Sequence, residues 1–296
     1  MKRTILFLLA LYSGMVVHAA TNLSGTISSD SVLSLAESPY TVVGSFTIES
    51  GATLTVDSGV TVYVDAGQQM YVRGTLTASY ASFTSASSAP SPGDWQRIVI
   101  GSGSDSGSVV LNHSTVNYAS RLVVQKGSLV LDQTTLSDFQ DYAVEIQSQG
   151  YLEMTASSLV GSNYPVAFTG PGKMSLLGSN NSLTGNTHDG LHVKFNKLSG
   201  FWEIADHEVP YLFDGDFNVE SSGRFVIGSG SVLKFRDYRG LEVDGVLKAV
   251  ADTGSSIYFT SMKDDNWGGD SNNDASATAP SAQDWDGISF NKGSVD

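Results

Sequence analysis

The sequence predicts an all-β protein, more specifically a right-handed, single-stranded parallel β-helix, which is a solenoid of stacked coils. From position 22 onward, short segments of alternating apolar and polar residues recur about every eight to twelve residues, separated by Gly and Ser turns. One long stretch also repeats: residues 46–50 return as residues 217–221, an offset of 171 positions. Strand-like segments that repeat at a fixed offset are typical of a solenoid, whereas a β-sandwich does not normally repeat strand by strand.

The repeat covers most of the chain. Residues 39–40 return as 210–211, and residues 76–78 return as 247–249, at the same offset. Trp95 corresponds to Trp285 at a larger offset of 190, so the second copy contains insertions. The sequence therefore predicts a first long β-helical repeat at 21–196 and a second, truncated one at 197–296.

Residues 1–20 are predicted to be a secretory signal peptide. Lys2 and Arg3 supply the positive start, residues 5–17 form the apolar stretch, and Ala19 fits the small-residue cleavage pattern. No later segment is apolar for long enough to cross a bilayer. We therefore expect a secreted or cell-surface protein with no transmembrane segment in the mature chain.

The predicted strands follow one another without a helical segment between them. Coils of about 20–25 residues would give about a dozen coils in the mature chain. Glycines are expected at the corners, in backbone conformations with positive φ. The clearest strands are 52–56, 60–64, 70–72, 97–100, 122–124, 128–131, 143–146, 191–195 and 224–227, and the expected corner residues are Gly51, Gly59, Gly74, Gly150, Gly230 and Gly245.

Composition excludes several classes of function. The formal net charge is −14, with 30 acidic and 16 basic residues, which disfavours nucleic acid and anionic membranes as partners because both require cationic patches. There is no cysteine, so stability has to come from a continuous core and backbone hydrogen bonds, with metal ions as a further source.

Two stretches resemble bacterial right-handed parallel β-helix repeat proteins: residues 39–78, and residues 257–290 with their acidic insertion. The resemblance implies a pectate-lyase-like solenoid from a large exported or surface-displayed bacterial protein. It does not imply one activity, since such folds include lyases, hydrolases, adhesins and passive stalks.

The strongest candidate site is a calcium loop in the acidic insertion. Asp270, Asn272 and Asp274 have the alternating spacing with which a loop surrounds Ca²⁺ with oxygen ligands. Two positions depart from the usual pattern: Ala275 stands where glycine is preferred, and Ser281 stands where an acidic residue is expected. A solvated acidic loop without metal is the alternative.

Other constellations point away from catalysis. The segment 186–192 faintly resembles a polygalacturonase motif but is also a natural turn before a strand. The basic residues that a lyase would need are scattered along the chain. Trp95 and Trp285 are predicted to pack at equivalent places of two coils rather than stack on sugars. The scattered basic residues are Arg97, Arg121, Lys126 and Lys173.

The sequence therefore favours a non-catalytic, structural or adhesive surface module with structural calcium, forming the N-terminal part of a larger bacterial protein. The alternative is a β-helix that binds or cleaves polysaccharide, with extracellular polysaccharides or surface glycans as partners. An enzyme should gather carboxylates and bases on one face, whereas a stalk should line that face with Ser, Thr and Asn. End-to-end self-association is a third expectation, because the last coil has no cap.

Overall fold

The computed structural model describes residues 20–291, so the predicted signal peptide lies outside the described residues except for Ala20. The described chain is almost entirely β-structure, with a single-turn 3₁₀ helix at Leu35–Glu37 that the sequence did not predict. Its parallel strands stack into a right-handed β-helix of about 11 coils, which confirms the predicted fold class. Residues 20–291 contain no helix that is long and apolar enough to cross a membrane.

The strands are short, and most contain three to six residues. In chain order they are β1 (Thr21–Ile27), β2 (Ser31–Leu33), β3 (Tyr40–Ile48), β4 (Thr53–Val56), β5 (Thr61–Val64), β6 (Gln69–Val72), β7 (Thr75–Ser79), β8 (Ser82–Ser85), β9 (Trp95–Ile100), β10 (Gly107–Asn112), β11 (Thr115–Asn117), β12 (Ala119–Asp132), β13 (Thr135–Ser137), β14 (Tyr142–Thr155), β15 (Ser158–Val160), β16 (Tyr164–Phe168), β17 (Lys173–Leu177), β18 (Leu191–Val193), β19 (Lys197–Leu198), β20 (Phe201–Ile204), β21 (Tyr211–Phe213), β22 (Phe217–Val219), β23 (Arg224–Ile227), β24 (Val232–Phe235), β25 (Gly240–Val243), β26 (Val246–Ala249), β27 (Tyr258–Ser261) and β28 (Gly287–Phe290).

Each coil contributes one strand, or half of a long strand, to each of three faces. The first face stacks the start of β3 with β5, β8, β11, β13 and β15. The second face stacks the end of β3 with β6, β9 and the starts of β12 and β14, and continues through β16, β18, β21, β24 and β27. The third face stacks β2, β4, β7, β10, the ends of β12 and β14, and β17.

Alternate side chains of each strand point into the solenoid and stack on the equivalent side chains of neighbouring coils. On the first face, Val62 pairs with Phe83, Phe83 with Val116, and Val116 with Leu136. All four are at most 1% exposed. Such continuous apolar rows supply the main driving force for folding in a chain without disulfides.

The six glycines predicted at corners do not all adopt a left-handed backbone conformation. Gly51, Gly59 and Gly230 have positive φ, as predicted, whereas Gly74, Gly150 and Gly245 do not. The prediction of positive φ was therefore wrong for those three. They are required instead because a Cβ atom there would collide with a carbonyl oxygen of the neighbouring coil, such as Ala52 O beneath Gly74.

A ladder of buried hydroxyl groups runs inside the corner between the third and first faces. The amide N–H of Ala81 donates to Ser114 Oγ at 3.1 Å, that of Ser114 to Thr134 Oγ1 at 3.2 Å, and that of Thr134 to Ser157 Oγ at 3.0 Å. Asn181 Oδ1 accepts the N–H of Ser157 and extends the ladder by one coil. Each side chain therefore satisfies a buried amide of the preceding coil.

The second copy continues the solenoid but is rotated by one face relative to the first. The Tyr40 hydroxyl donates to Ser34 O at 3.1 Å, and its counterpart Tyr211 donates to Ala205 O at 2.9 Å, again 171 positions later. Tyr40 nevertheless stacks on Val62 of the first face, whereas Tyr211 stacks on Leu191 of the second face.

Among the strands of residues 20–291, the second face alone is continuous across the junction of the two copies. The first face ends at the bridge between Ser158 and Ser182, and the third face ends with β17. Two new sheets then begin, one with β19, β22, β25 and β28, the other with β20, β23 and β26. The predicted division between the two long repeats, at 196/197, falls beside the start of β19, and the division itself remains a prediction.

Candidate functional site

The acidic insertion of the second copy replaces a short turn of the first copy. The amide of Ser87 donates to Ser85 Oγ at 3.0 Å, and that of Lys263 donates to Ser261 Oγ at 3.1 Å. On the far side, Ser91 N–H donates to Asp94 Oδ2, and Ser281 N–H donates to Asp284 Oδ2. Residues 264–280 therefore stand where the first copy has only residues 88–90, and we call residues 264–280 the acidic insert.

Three carboxylates converge in the acidic insert. Asp265, Asp270 and Asp274 each place one oxygen within 4.8 Å of the oxygens of the other two. Like charges at this separation repel one another unless a cation or a network of hydrogen bonds offsets the repulsion. The three side chains therefore form the candidate cation site of this part of the chain.

The loop backbone organises two of these carboxylates. Asp270 accepts the amides of Asp274 at 3.1 Å and Ala275 at 2.8 Å. Asp274 accepts the amides of Ala277 at 2.9 Å and Thr278 at 3.1 Å. The hydroxyl of Thr278, followed by these amides, lowers the pKa of Asp274 and keeps it ionised.

The three residues predicted from sequence lie close together, but their roles differ. Asp270 and Asp274 join the carboxylate trio, whereas Asn272 donates from Nδ2 to Asp274 Oδ2 at 2.9 Å. Asp265, which the sequence did not point to, completes the trio. The alternating template covers only positions two apart, and Asp265 lies five positions before Asp270.

The donor set fits calcium. All the candidate ligands are hard oxygens, the type that Ca²⁺ prefers. Asp265 Oδ1 and Asn272 Oδ1 are buried atoms without a hydrogen-bond partner. Ala275, at the position where glycine is usual, has a φ of 53°, in the left-handed region that favours glycine. Ala275 thus adopts the backbone conformation that glycine normally takes at this position of a calcium loop.

A buried lysine lies beneath the acidic insert. Lys234 occupies an outward position of β24, yet it is 0% exposed because the insert covers it. Its Nζ donates to Gly269 O at 2.5 Å. Burial lowers the pKa of Lys234 to about 8, although the neighbouring Asp265, Asp264 and Asp270 act in the opposite direction. Strand alternation puts this side chain on the outside, and nothing in the local sequence pattern shows that an insertion about 30 positions later covers it.

The outer surface of the second face carries charged and aromatic side chains. Arg121 forms ion pairs with Asp141 at 2.7 Å and Glu145 at 3.0 Å. Asp214 accepts a hydrogen bond from His192 Nε2 at 2.9 Å and pairs with Arg236 at 3.1 Å. Burial tends to raise the pKa of Asp214, but the hydrogen bond from His192 and the neighbouring charges outweigh it, and the net shift is downward.

A small cleft of ≈220 Å³ separates this face from the acidic insert. Tyr164, Leu212 and Met262 contribute its apolar lining. The ring of Tyr164 stacks on His188 with centroids 4.8 Å apart and on His192 with centroids 4.4 Å apart. Burial, followed by the charge of Asp214, raises the pKa of Tyr164 to about 12. The phenol is therefore neutral, and its ring is largely covered by the two imidazoles.

The remaining sequence candidates have structural partners. Asn186 and Asp189 hold the turn before β18, where Asp189 accepts the amide of Asn186 at 2.9 Å. Trp95 is 0% exposed and donates from Nε1 to Asn117 O at 2.9 Å, which confirms that it packs rather than stacks on a sugar. Trp285 is half-buried and stacks on Phe235 at 4.9 Å.

The basic residues considered for a lyase do not form one group. Arg121 belongs to the ion pairs of the second face, and Arg97 lies beside it in register but bonds to Gln69 Oε1 at 3.1 Å. Lys126 donates to Ser104 O at 2.7 Å, and Lys173 is exposed on the third face.

No protein family, curated protein or solved structure matches this chain. The resemblance to bacterial β-helix repeat proteins therefore rests on residues 39–78 and 257–290 alone. Function has to be argued from the fold and from the geometry of the acidic insert.

Proposed function

We propose that this chain is an exported, non-catalytic β-helical module with a structural or adhesive role, rigidified by calcium bound in its acidic insert. The observation that carries the proposal is the convergence of Asp265, Asp270 and Asp274 within 4.8 Å. A divalent cation would relieve their mutual repulsion and would give the orphaned oxygens of Asp265 and Asn272 a partner.

The outer surface of the first face supports a structural role. A row of hydroxyl residues follows the first face over five consecutive coils. Such a surface offers many weak hydrogen-bonding groups and no reactive cluster. The row is Thr61, Ser82, Thr115, Thr135 and Ser158.

The second face supports a different candidate, the binding of extracellular polysaccharide or surface glycans. Arg121 pairs with Glu145 there, and His192 pairs with Asp214 beyond the intervening coil of Ala167, so carboxylates and bases share one face, as expected of a carbohydrate-active protein. The charges of these side chains, however, are neutralised by one another in ion pairs. The cleft of ≈220 Å³ is also smaller than the ~300–1,000 Å³ of most ligand pockets. We therefore place this candidate second.

Thermal unfolding tests the calcium proposal. For residues 21–296, calcium at about 100 times its dissociation constant should stabilise the folded state by about 2.7 kcal/mol relative to chelator. The double variant Asp270→Ala/Asp274→Ala should lose this response, whereas Asp57→Asn, an exposed carboxylate in the first copy, should retain it. Equal midpoints with calcium and with chelator in the unmodified chain would show that the acidic insert is a solvated loop.

Glycan binding is tested separately, with immobilised polysaccharides and the variant Arg121→Ala/Asp214→Ala. Retention that this variant loses would favour the second candidate. Absence of retention on neutral and acidic polysaccharides alike would remove it.

A further inference from the structure

The acidic insert folds back along the axis of the solenoid and contacts four consecutive coils of the second face. Asp264 accepts a hydrogen bond from Thr260 of β27, and Lys234 of β24 donates to Gly269 O. Gly268 lies so near the Pro210 ring, directly before β21, that a Cβ atom on it would come within 3.0 Å of Pro210, and Ser271 O lies 3.0 Å from His188 Nδ1, shortly before β18. The strands β18, β21, β24 and β27 are successive neighbours in this face.

Such a contact pattern is unusual for a solenoid. Each coil of a repeat protein normally touches only its two neighbours, so stability is a sum of intrinsic terms and nearest-neighbour terms. A loop that contacts coils three apart adds a stabilising free energy between coils that are not neighbours. Opening of the coil that carries β18 then requires loss of contacts made by residues about 80 positions later.

The contacts include both an apolar and a charged part. Met262, two residues before the insert, belongs to one buried apolar cluster with Leu212 and Tyr164, which anchors the entry to the insert on the strands of two earlier coils. Lys234 supplies a fully buried ammonium whose hydrogen-bond acceptor is Gly269 O of the insert. Without the insert in place, this ammonium would lose that acceptor, and the outward side of β24 would be open to water.

We propose that the acidic insert is an axial clamp that couples the coils of β18, β21, β24 and β27, and that cation binding to its carboxylates tightens this coupling. The cation-dependent part rests on the proposed calcium site, whereas the clamp itself rests on the contacts of Lys234 and His188 with the insert. The positive charge of Lys234 interacts with Asp265 and Asp270, two of the three carboxylates of the trio. A bound divalent cation would therefore hold the acidic insert against these coils more firmly than Lys234 does alone.

Hydrogen exchange resolved along the chain of residues 21–296 tests the clamp. We expect calcium to slow amide exchange at least tenfold in β18 and β21, outside the insert itself, relative to chelator. Lys234→Met should abolish this remote protection, whereas Lys248→Met, an exposed lysine at an outward position of β26, should not. Titration calorimetry with calcium chloride on the same proteins reports binding independently.

A chimera in which residues 264–280 are replaced by residues 88–90 provides a second measurement. Because the first copy uses this turn between equivalent anchors, the chimera should fold, and its β18 and β21 amides should exchange at least tenfold faster than those of the unmodified chain with calcium.

The outcomes separate the two proposals. Calcium binding without any change in exchange at β18 and β21 would overturn the clamp and leave the calcium site standing. Absence of calcium binding would overturn the calcium site, and the chimera compared with the metal-free chain would then decide the clamp: faster exchange in β18 and β21 supports it, and unchanged exchange overturns it.

Discussion

His207 is buried at the junction of the two copies, and its Nδ1 atom has no hydrogen-bond partner. Burial lowers the pKa of His207 to about 4, although nearby Asp206 acts in the opposite direction. In an unfolded chain the imidazole has a pKa of about 6.5. The unfolded state therefore binds the proton more readily, and the stabilising effect of the neutral buried ring is complete only above pH 6.5.

We predict that this group makes the free energy of unfolding decrease as the pH falls from about 6.5 to about 4, by roughly 3 kcal/mol in total. His207→Leu should remove that part of the pH dependence. Urea unfolding of both proteins at several pH values measures it. Parallel pH profiles for the unmodified chain and the variant would contradict the prediction.

Some residues of the candidate cation site could be predicted from the sequence and others could not. Asp270 and Asp274 were found because a calcium loop has a local spacing. Asp265 and Lys234 were not found, because their proximity to the loop depends on how the insert folds back over β24. A local pattern can identify ligands within one loop, but it carries no signal for partners that tertiary packing supplies.

At the scale of elements, the hydroxyl ladder fixes the corner between the third and first faces. Thr134 is 0% exposed; its Oγ1 accepts the amide of Ser114 at 3.2 Å and contacts Leu111 O at 3.1 Å. Thr134→Val keeps the shape but leaves the buried amide of Ser114 unsatisfied. We predict a loss of about 1–3 kcal/mol in the free energy of unfolding.

Denaturant unfolding midpoints measure this loss against a matched control. Thr135→Val changes the adjacent threonine, which faces outward, and should alter stability by no more than about 0.5 kcal/mol. If both variants lose the same amount, the inward hydroxyl is not what holds the corner.

The strands could be predicted from sequence because their alternation reflects burial on one side. The corners could be predicted only in part. Tyr80, His113, Gln133 and Ala156 take left-handed conformations at equivalent corners of successive coils. The next coil holds three of them in place, because the amides of Tyr80, His113 and Gln133 donate to backbone carbonyls of that coil; the amide of His113, for example, donates to Asp132 O. Because the constraint comes from the neighbouring coil, these corners need no glycine, and the sequence contains no local signal that marks them.

At the scale of the whole molecule, Trp202 joins the two copies. It is 1% exposed, and its Nε1 donates to Gly172 O at 3.0 Å in the first copy. Its ring contacts Phe168 on one side of the junction and Phe217 and Phe225 on the other. Because two of the three faces are interrupted here, this aromatic cluster carries much of the contact between the copies.

We predict that Trp202→Ala costs about 3–5 kcal/mol and divides thermal unfolding into two transitions, the second copy unfolding first. Calorimetry should show two peaks for this variant and one peak for the unmodified chain. Trp267→Ala removes an exposed tryptophan from the acidic insert and should keep a single peak. A single peak for Trp202→Ala, at an unchanged temperature, would show that the continuous second face alone couples the copies.

The rotation of the second copy by one face has a consequence for any fibre built from this unit. With three faces per coil, repeated addition of copies in the same way would move each equivalent strand on by one face each time. A loop carried once per copy would then project in three directions in succession and regain its first direction with the fourth copy. A filament of this kind would present its loops to neighbours all round its circumference, and a surface on any side could engage them.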